Sequence, residues 1–554
     1  MSRPLVDVSD LRIGFGRGSE QSDVVHGISF SIEEGETVAI VGESGSGKSV
    51  TARTLVGLTG DGSTVAADAL RLGDHDLLSA SKRAWRTIRG GEIGFVLQDA
   101  LVSLDPLRTI GREIEEPLRE HFSWTAERRG AEVLDLLRDV GVPEPELRRR
   151  QRPHELSGGL RQRALIASAI AARPPFLILD EATTALDVTV QAQILRLLGR
   201  FKDQGRTLLL ITHDLAVVSQ IADRVIVMKD GRVVETGTTD DVFTRAEHPY
   251  TRRLIAAIPS NRPRRAATVI ERPASGDVGE ALSPTAAVAQ VSHISRTFAL
   301  PTGGTLRALD DVSFDLHPGR TLGLVGESGS GKTTAGRILL GQERADDGDI
   351  LVTGSRWSEV HGRERAALRQ RIQAVYQDPL SSFDPRHSID QVLTEAVRAL
   401  GRHDRSARRA RVRELLDHVE LSTGLLERRP LQLSGGQRQR VAIARALALE
   451  PTIIVGDEPV SALDVSIQAQ ILDLLVRIQK ETHVALLLIS HDFGVVNAIS
   501  DEVLVLKDGR TVEHDTVSNV FDRPQAEYTR ELLAAIPRFH GTSSTISPTI
   551  ESLA

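Results

Sequence analysis

At 554 residues the chain is too long for a single hydrophobic core and suits two to four domains of roughly 100 to 200 residues each. Its 40% hydrophobic and 26% charged content is that of an ordinary globular protein, and a formal net charge of -7 gives no electrostatic argument for nucleic acid as a partner. The absence of cysteine excludes disulfides, thiolate zinc sites, iron–sulfur clusters and cysteine nucleophiles together.

In chain order, the opening "MSRPLVDVSD" lacks the apolar core of a secretory signal, so the sequence predicts a protein that stays in the cytosol. The run "TVAIV" from Thr37 reads as a buried strand that feeds the glycine-rich stretch "GESGSGKS" and a helical pattern, "SVTARTLVGL". "LQDALVSLDP" (Leu97 to Pro106) follows, and then an inserted helical stretch. In it Val133, Leu136, Leu137 and Val140 stand at i, i+3, i+4 and i+7 and make one apolar face. The arginine run "ELRRRQRP" reads as a solvated or interdomain face. "LSGGLRQR" (Leu156 to Arg163), the strand "FLILD" with Glu181 after it, and "ALD" (Ala185 to Asp187) come next. The strand "TLLLI" before His213 and the segment "HPYTRRLIAAIP" (His248 to Pro259) complete the series. None of the apolar runs approaches the ~20 residues that a membrane helix needs.

Residues 259–289 are rich in Pro, Ala and Ser without apolar periodicity, the composition of a flexible linker. The order then repeats. "TLGLV" feeds "GESGSGKT", "YQDPLSSFDP" (Tyr376 to Pro385) precedes a helix face of Val412, Leu415, Leu416 and Val419, and "LSGGQRQR" (Leu433 to Arg440) follows. "IIVGD" leads into Glu458 and "ALD" (Ala462 to Asp464), "VALLLIS" into His491, and "AEYTRELLAAIP" (Ala526 to Pro537) closes the copy. Kept order and spacing imply two copies of one α/β domain, residues 1–258 and 290–537, with 538–554 as a disordered tail.

Gly42-x-x-x-x-Gly47-Lys48-Ser49 sits between a strand and a helix, the context of a phosphate-binding loop. Its glycines let backbone N–H groups face phosphate oxygens, and the helix N-terminus adds partial positive charge. Lys48 supplies a compact cation, and the Ser49 hydroxyl can ligate Mg²⁺. Gly326, Gly331, Lys332 and Thr333 repeat the arrangement, and a chance glycine turn would not recur in register with the same strand and helix around it. Asp180 and Asp457 end apolar strands, where a carboxylate beside such a loop can hold Mg²⁺ through water; Glu181 and Glu458 can orient or deprotonate the attacking water. Spacing alone leaves His213 and His491 open between a structural and a functional role.

With these motifs in this order, the chain resembles two tandem ATP-binding cassettes of the ABC superfamily. The phosphate loops, the glutamines Gln98 and Gln377, and "LSGG(L/Q)RQR" carry the resemblance. It implies P-loop cassettes, each with a RecA-like core, a β-rich subdomain and a helical signature subdomain, that hydrolyse ATP with Mg²⁺. It further implies that Ser44, Gly45, Ser328 and Gly329 belong to the phosphate loops and that Gln98 and Gln377 sense Mg²⁺. Ser157, Gly158, Gly159, Ser434, Gly435 and Gly436 would meet the γ-phosphate bound by the other cassette, with Asp187 and Asp464 beside them. His213 and His491 would contact that phosphate, and Phe15 and Phe298 would stack on adenine. Lys48 would then face Ser434 across one ATP, and Lys332 would face Ser157 across the other.

Within the superfamily the extended glutamine segments and "HPYTRRLIAAIP" resemble the dipeptide, oligopeptide and nickel importers, with Ala526-Glu527 standing in the second copy where the first has His-Pro. That likeness implies a peripheral subunit on the cytoplasmic face of the plasma membrane, working with two membrane permeases and an extracytoplasmic solute-binding protein, without nucleic acid. Peptides are the expected cargo; nickel, glutathione and oligosaccharides are within reach of the same family. A soluble twin cassette acting on ribosomes is the competing class. It is typically joined by a charged helical linker, and its repair and recycling members bind metal through cysteine, which this chain lacks. Export is a third class, whose cassettes generally carry their own membrane helices.

Overall fold

Alternation along the apolar strands decides the layering. The computed structural model describes residues 3–16, 22–97, 103–182, 187–258, 286–299, 304–401 and 404–536. They divide into two compact units, the described residues of 3–182 and 190–258 in one and Asp187–Thr189 with the described residues of 286–536 in the other. In the first unit a six-stranded sheet runs in the order Arg232–Thr238, Arg224–Lys229, Thr37–Val41, Thr207–Ile211, Phe176–Asp180, Ile93–Val96. Its neighbours are parallel except for the antiparallel edge strand Arg232–Thr238.

All five residues of Thr37–Val41, of Phe176–Asp180 and of Thr207–Ile211 are buried, the mark of parallel strands covered on both faces. Alternate residues serve different cores. Ala39, Val41, Leu177, Leu179, Leu208 and Leu210 pack toward the helical side. Val38, Ile40, Phe176, Ile178, Leu209 and Ile211 pack toward a second, antiparallel sheet. That smaller sheet is made of Ser22–Ile32, Val6–Phe15, Ala69–Leu72 and His75–Asp76, with Ser63–Ala66 also paired to Val6–Phe15.

The second unit repeats the plan with the order Arg510–Thr516, Glu502–Lys507, Thr321–Val325, Ala485–Ile489, Ile453–Asp457, Ile372–Tyr376. Its four-stranded sheet, Thr305–Leu316, Ala289–Ala299, Asp347–Val352 and Ser355–Arg356, covers the other face.

The helical inserts form as their periodicity requires. Ala126–Asp139 buries Val133, Leu136 and Leu137, with Val140 capping its end, and Arg405–His418 buries Val412, Leu415 and Leu416 with Val419 in the same place. Thr125 and Asp404 cap the two N-termini through side-chain oxygens. Both faces join the helical-side cores together with Ile110, Ile114 and Leu118 in the first unit and Ile389, Val392 and Leu393 in the second. The α/β class and its three-part cassettes are therefore as the sequence implies. No helix among the described residues is long and apolar enough to cross a membrane.

Candidate functional site

Parallel pairing gathers the chemistry at one sheet edge. Ile40 pairs with Ile211, and Asp180 with the same Ile211, so the loop after Thr37–Val41, the pair Asp180–Glu181 and His213 leave the carboxyl ends of three adjacent strands together. Leu324, Asp457 and Ile489 make the same row in the second unit. This is where open α/β sheets bind ligands.

Gly42, Gly45 and Gly47 hold φ of 151°, 82° and 95°, and Gly47 is the left-handed N-cap of the helix Lys48–Leu55. A Cβ on Gly42 would lie 2.1 Å from the Met228 carbonyl oxygen, whereas one on Gly45 would meet nothing within 4 Å, leaving the exposed crest open. Ser44 stands on that crest and is exposed, as Ser328 and Gly329 are in the copy. Lys48 is 4% exposed and its Nζ donates to Gly42 O at 2.8 Å and Glu43 O at 2.7 Å. Lys332, 7% exposed, donates to Gly326 O and Glu327 O at the same two distances. Burial pulls the Lys332 ammonium down, opposed by the nearby Glu458 and Asp457 carboxylates.

Ser49 Oγ donates to Asp180 Oδ1 at 2.7 Å, and Thr333 Oγ1 to Asp457 Oδ1 at 3.3 Å. Asp180 is fully buried, yet its Oδ2 has no hydrogen-bond partner among the described residues; Arg53 Nε stands 3.9 Å away. Burial pushes both aspartates up. A buried carboxylate with an unpaired oxygen, beside a hydroxyl in the first turn of a helix, is a donor set suited to a hard cation that prefers oxygen.

Glu181 and Glu458 take left-handed backbone conformations, φ 50° and 51°, which non-glycine residues adopt at a cost and which cluster where function needs them. Each is held by its own N–H, donating to Ile211 O at 2.8 Å or Ile489 O at 2.9 Å. His491 Nδ1 lies 2.8 Å from Glu458 Oε1, and His213 Nδ1 lies 3.4 Å from Glu181 Oε1. For Glu458, burial raises the carboxyl but hydrogen bonding and charge from His491 outweigh it, so it is lowered. For His491, burial lowers the imidazole, but Glu458 and Asp492 outweigh it and it is raised. The histidines that spacing left undecided thus stand against the glutamates.

The remaining predicted residues lie on other elements. Ser157 and Ser434 are exposed N-caps of Gly158–Ile170 and Gly435–Leu447, accepting from Leu160 N and Gln437 N. Gly159 and Gly436 let those helices pack closely, since a Cβ would come within 3.2 Å of Val190 and 2.5 Å of Ile467. Asp187 precedes the helix Val188–Asp203, and Asp464 is the N-cap of Val465–Thr482. Gln377 is exposed, one residue beyond Tyr376, the register partner of Asp457. Gln98 lies outside the described residues. Phe15 ends its strand half-buried against Gly60, and one face of Phe298 carries the Arg296 guanidinium, 4.7 Å from the ring centre.

One contact had no counterpart in the motif reading. Glu43 N–H donates to Tyr250 Oη at 3.0 Å, and Glu327 N–H to Tyr528 Oη at 3.4 Å, which ties the C-terminal segment of each copy to its phosphate loop. The signal was in the sequence as the one aromatic shared by "HPYTR" and "AEYTR".

A strand, a left-handed glycine loop, a helix with a buried lysine, and acids at the end of a neighbouring strand define a P-loop nucleotide hydrolase in each half. The model of the ABC transporter family matches residues 25–184 and 309–461, and that of the oligopeptide/dipeptide transporter C-terminal region matches 234–280 and 512–552. The chain is 43% identical to the peptidoglycan transport ATP-binding protein YejF of Agrobacterium fabrum, covering 96% of both chains. It is also 43% identical to the glutathione import ATP-binding protein GsiA of Shigella dysenteriae serotype 1, covering 96% of this chain and 89% of that one. The chain belongs to the ABC transporter family as an ATP-binding subunit with two cassettes, and it is an ATPase.

Proposed function

We propose that this chain is the energy-coupling ATPase of an importer for short peptides, with two composite sites in which Lys48 pairs with Ser434 and Lys332 with Ser157 across ATP. The observation that carries the cargo class is the oligopeptide/dipeptide transporter segment following each cassette. Glutathione, the cargo named for one relative, is itself a short peptide. The partners are two permeases that span the membrane, with a solute-binding protein on the far side, and the chain sits on the cytoplasmic face.

In each site the buried lysine, aimed by two carbonyls of its own loop, binds phosphate oxygens, and the loop amides and helix start orient them. Ser49 with Asp180, and Thr333 with Asp457, would hold Mg²⁺, which supplies charge neutralisation at the phosphates when bound. Glu181 and Glu458 take a proton from the attacking water at a carboxylate oxygen, and His213 and His491 hold those carboxylates through Nδ1. The signature serines, exposed on helix N-termini, would meet a phosphate supplied from outside their own loop.

The test is affinity purification from membranes in mild detergent followed by mass spectrometry. Two multi-span permeases are expected, with uptake of labelled di- and tripeptides lost when the chain is removed. Recovery with ribosomes, or uptake of peptides unchanged on removal, would overturn the reading.

A further inference from the structure

The helix Pro249–Ala256 and its counterpart Glu527–Ala535 meet the phosphate loops through the tyrosine hydroxyl, across 207 and 201 residues of sequence. We infer that Tyr250 and Tyr528 are positioning residues of the two ATP sites: each hydroxyl fixes the loop residue that aims the phosphate-binding lysine. This rests on the reading of Lys48 and Lys332 as the phosphate ligands.

Glu43 is held from both sides. Its N–H donates to Tyr250 Oη while its carbonyl accepts from Lys48 Nζ, and Glu327 stands in the same way between Tyr528 and Lys332. A loop residue released at its amide therefore loosens the carbonyl that directs the ammonium. The tyrosines are themselves fixed. They are 2% and 8% exposed, and Lys229 and Lys507 lie over their rings at 5.2 and 4.4 Å. The start of each segment is pinned independently. Glu235 accepts from Glu247 N and His248 N at 2.7 and 3.2 Å, and Glu513 accepts from Gln525 N and Ala526 N at 2.8 and 3.2 Å.

The two copies separate the roles of the segment. In the first, His248 Nδ1 accepts from Tyr250 N at the helix start; in the second Ala526 offers no such cap, yet the tyrosine still meets the loop. Burial alone would be served by phenylalanine, whereas a hydroxyl set on a loop amide carries a specific bond. Each segment is thus a strut between the edge strand that bears Glu235 or Glu513 and the loop that binds phosphate.

Tyr250→Phe with Tyr528→Phe in the full chain removes two hydroxyls and keeps both rings. ATP affinity is measured by calorimetry with ATP and magnesium, and KM and kcat by phosphate release, with the melting temperature as the check on folding. Loss of the hydroxyl, and with it the bond to the loop amide in each site and the further bond to the Glu327 side chain in the second, predicts about a three- to tenfold rise in Kd and KM, larger than the fall in kcat, with a melting temperature lowered by no more than about 2–4 °C. Lys48→Ala with Lys332→Ala is the companion variant. If it loses ATP binding while the phenylalanine variant keeps Kd and KM within about 1.5-fold of the parent, the tyrosine inference falls alone. If the lysine variant binds ATP as the parent does, the reading of the loops falls instead.

Discussion

Gly42→Ala tests whether the loop is as tightly set as its geometry requires. The new Cβ would lie 2.1 Å from Met228 O and 3.0 Å from Ser46 Oγ, at a φ of 151°. Ordinary contact begins at 3.4 Å, so loop and strand end must separate by about 1.3 Å along that line. Met228 cannot yield cheaply, since it is fully buried in a strand paired on both sides. Overpacking of this kind costs about 1–3 kcal/mol, and a displacement of about 1 Å at a reacting centre costs on the order of 100-fold in rate. Gly45→Ala is the matched control: its Cβ meets nothing, so only the left-handed backbone is charged, about 1–2 kcal/mol. The assay is ATPase activity with melting temperature for both variants and for Gly326→Ala, whose Cβ would lie 2.2 Å from Leu506 O. Gly42→Ala and Gly326→Ala should each lose far more activity than Gly45→Ala. Equal activity in all three would refute the claim that this backbone approach sets the lysine.

Glu181→Gln alone should lower the ATPase rate of the full chain, because the two sites work together; full activity in that single variant would sink the two-site reading, and general-base loss is typically about 100- to 10,000-fold. The His491–Glu458 pair gives a pH signature. The raised imidazole contributes stability that is complete below its unfolded pKa of about 6.5 and is lost as pH rises through the folded value, and the lowered carboxyl contributes stability above about 4.3 that is lost as pH falls through its folded value. The melting-temperature gap between the parent and Glu458→Gln should therefore shrink from pH 6 to pH 9, and a gap independent of pH would count against the contact. Glu235→Ala and Glu513→Ala should each cost about 1–2 kcal/mol by freeing two backbone N–H groups, read by thermal unfolding, and His248→Ala should cost less than Glu235→Ala. The reverse order would mean that the His-Pro start anchors the segment.

Much of this was legible because the signals are local. A strand buried on both faces must be apolar throughout, so "TVAIV", "FLILD" and "TLLLI" announced the parallel core, and the spacing Val133, Leu136, Leu137, Val140 announced a packed helix face. The loop needed left-handed residues at fixed places, and only glycine supplies them cheaply. What stayed hidden depends on tertiary approach. Nothing in "DE" reveals that Glu181 and Glu458 hold a left-handed backbone, because that conformation is imposed by the bond from each N–H to the neighbouring strand. Nor does "LSGG" reveal that Gly436 is needed against Ile467, a residue of the helix that follows the next strand.

The tyrosine contact was hidden for the opposite reason: the residues around it drew attention to the wrong atoms. His-Pro is the conspicuous part of the first segment, yet in the second copy, which lacks it, the hydroxyl still meets the loop amide, at 3.4 Å against 3.0 Å. The anchoring lies in an unremarked glutamate on the preceding strand, Glu235 or Glu513, whose two oxygens take the two amides just before the helix whatever side chains those residues carry. Because the bonds run to backbone, the residues at 248 and 249 could change to Ala526 and Glu527 without disturbing the strut. The tyrosine has no such freedom, since its contribution is made by the one atom that a different side chain would lack. Comparing two copies within one chain therefore separates the part of a motif that carries force from the part that only accompanies it.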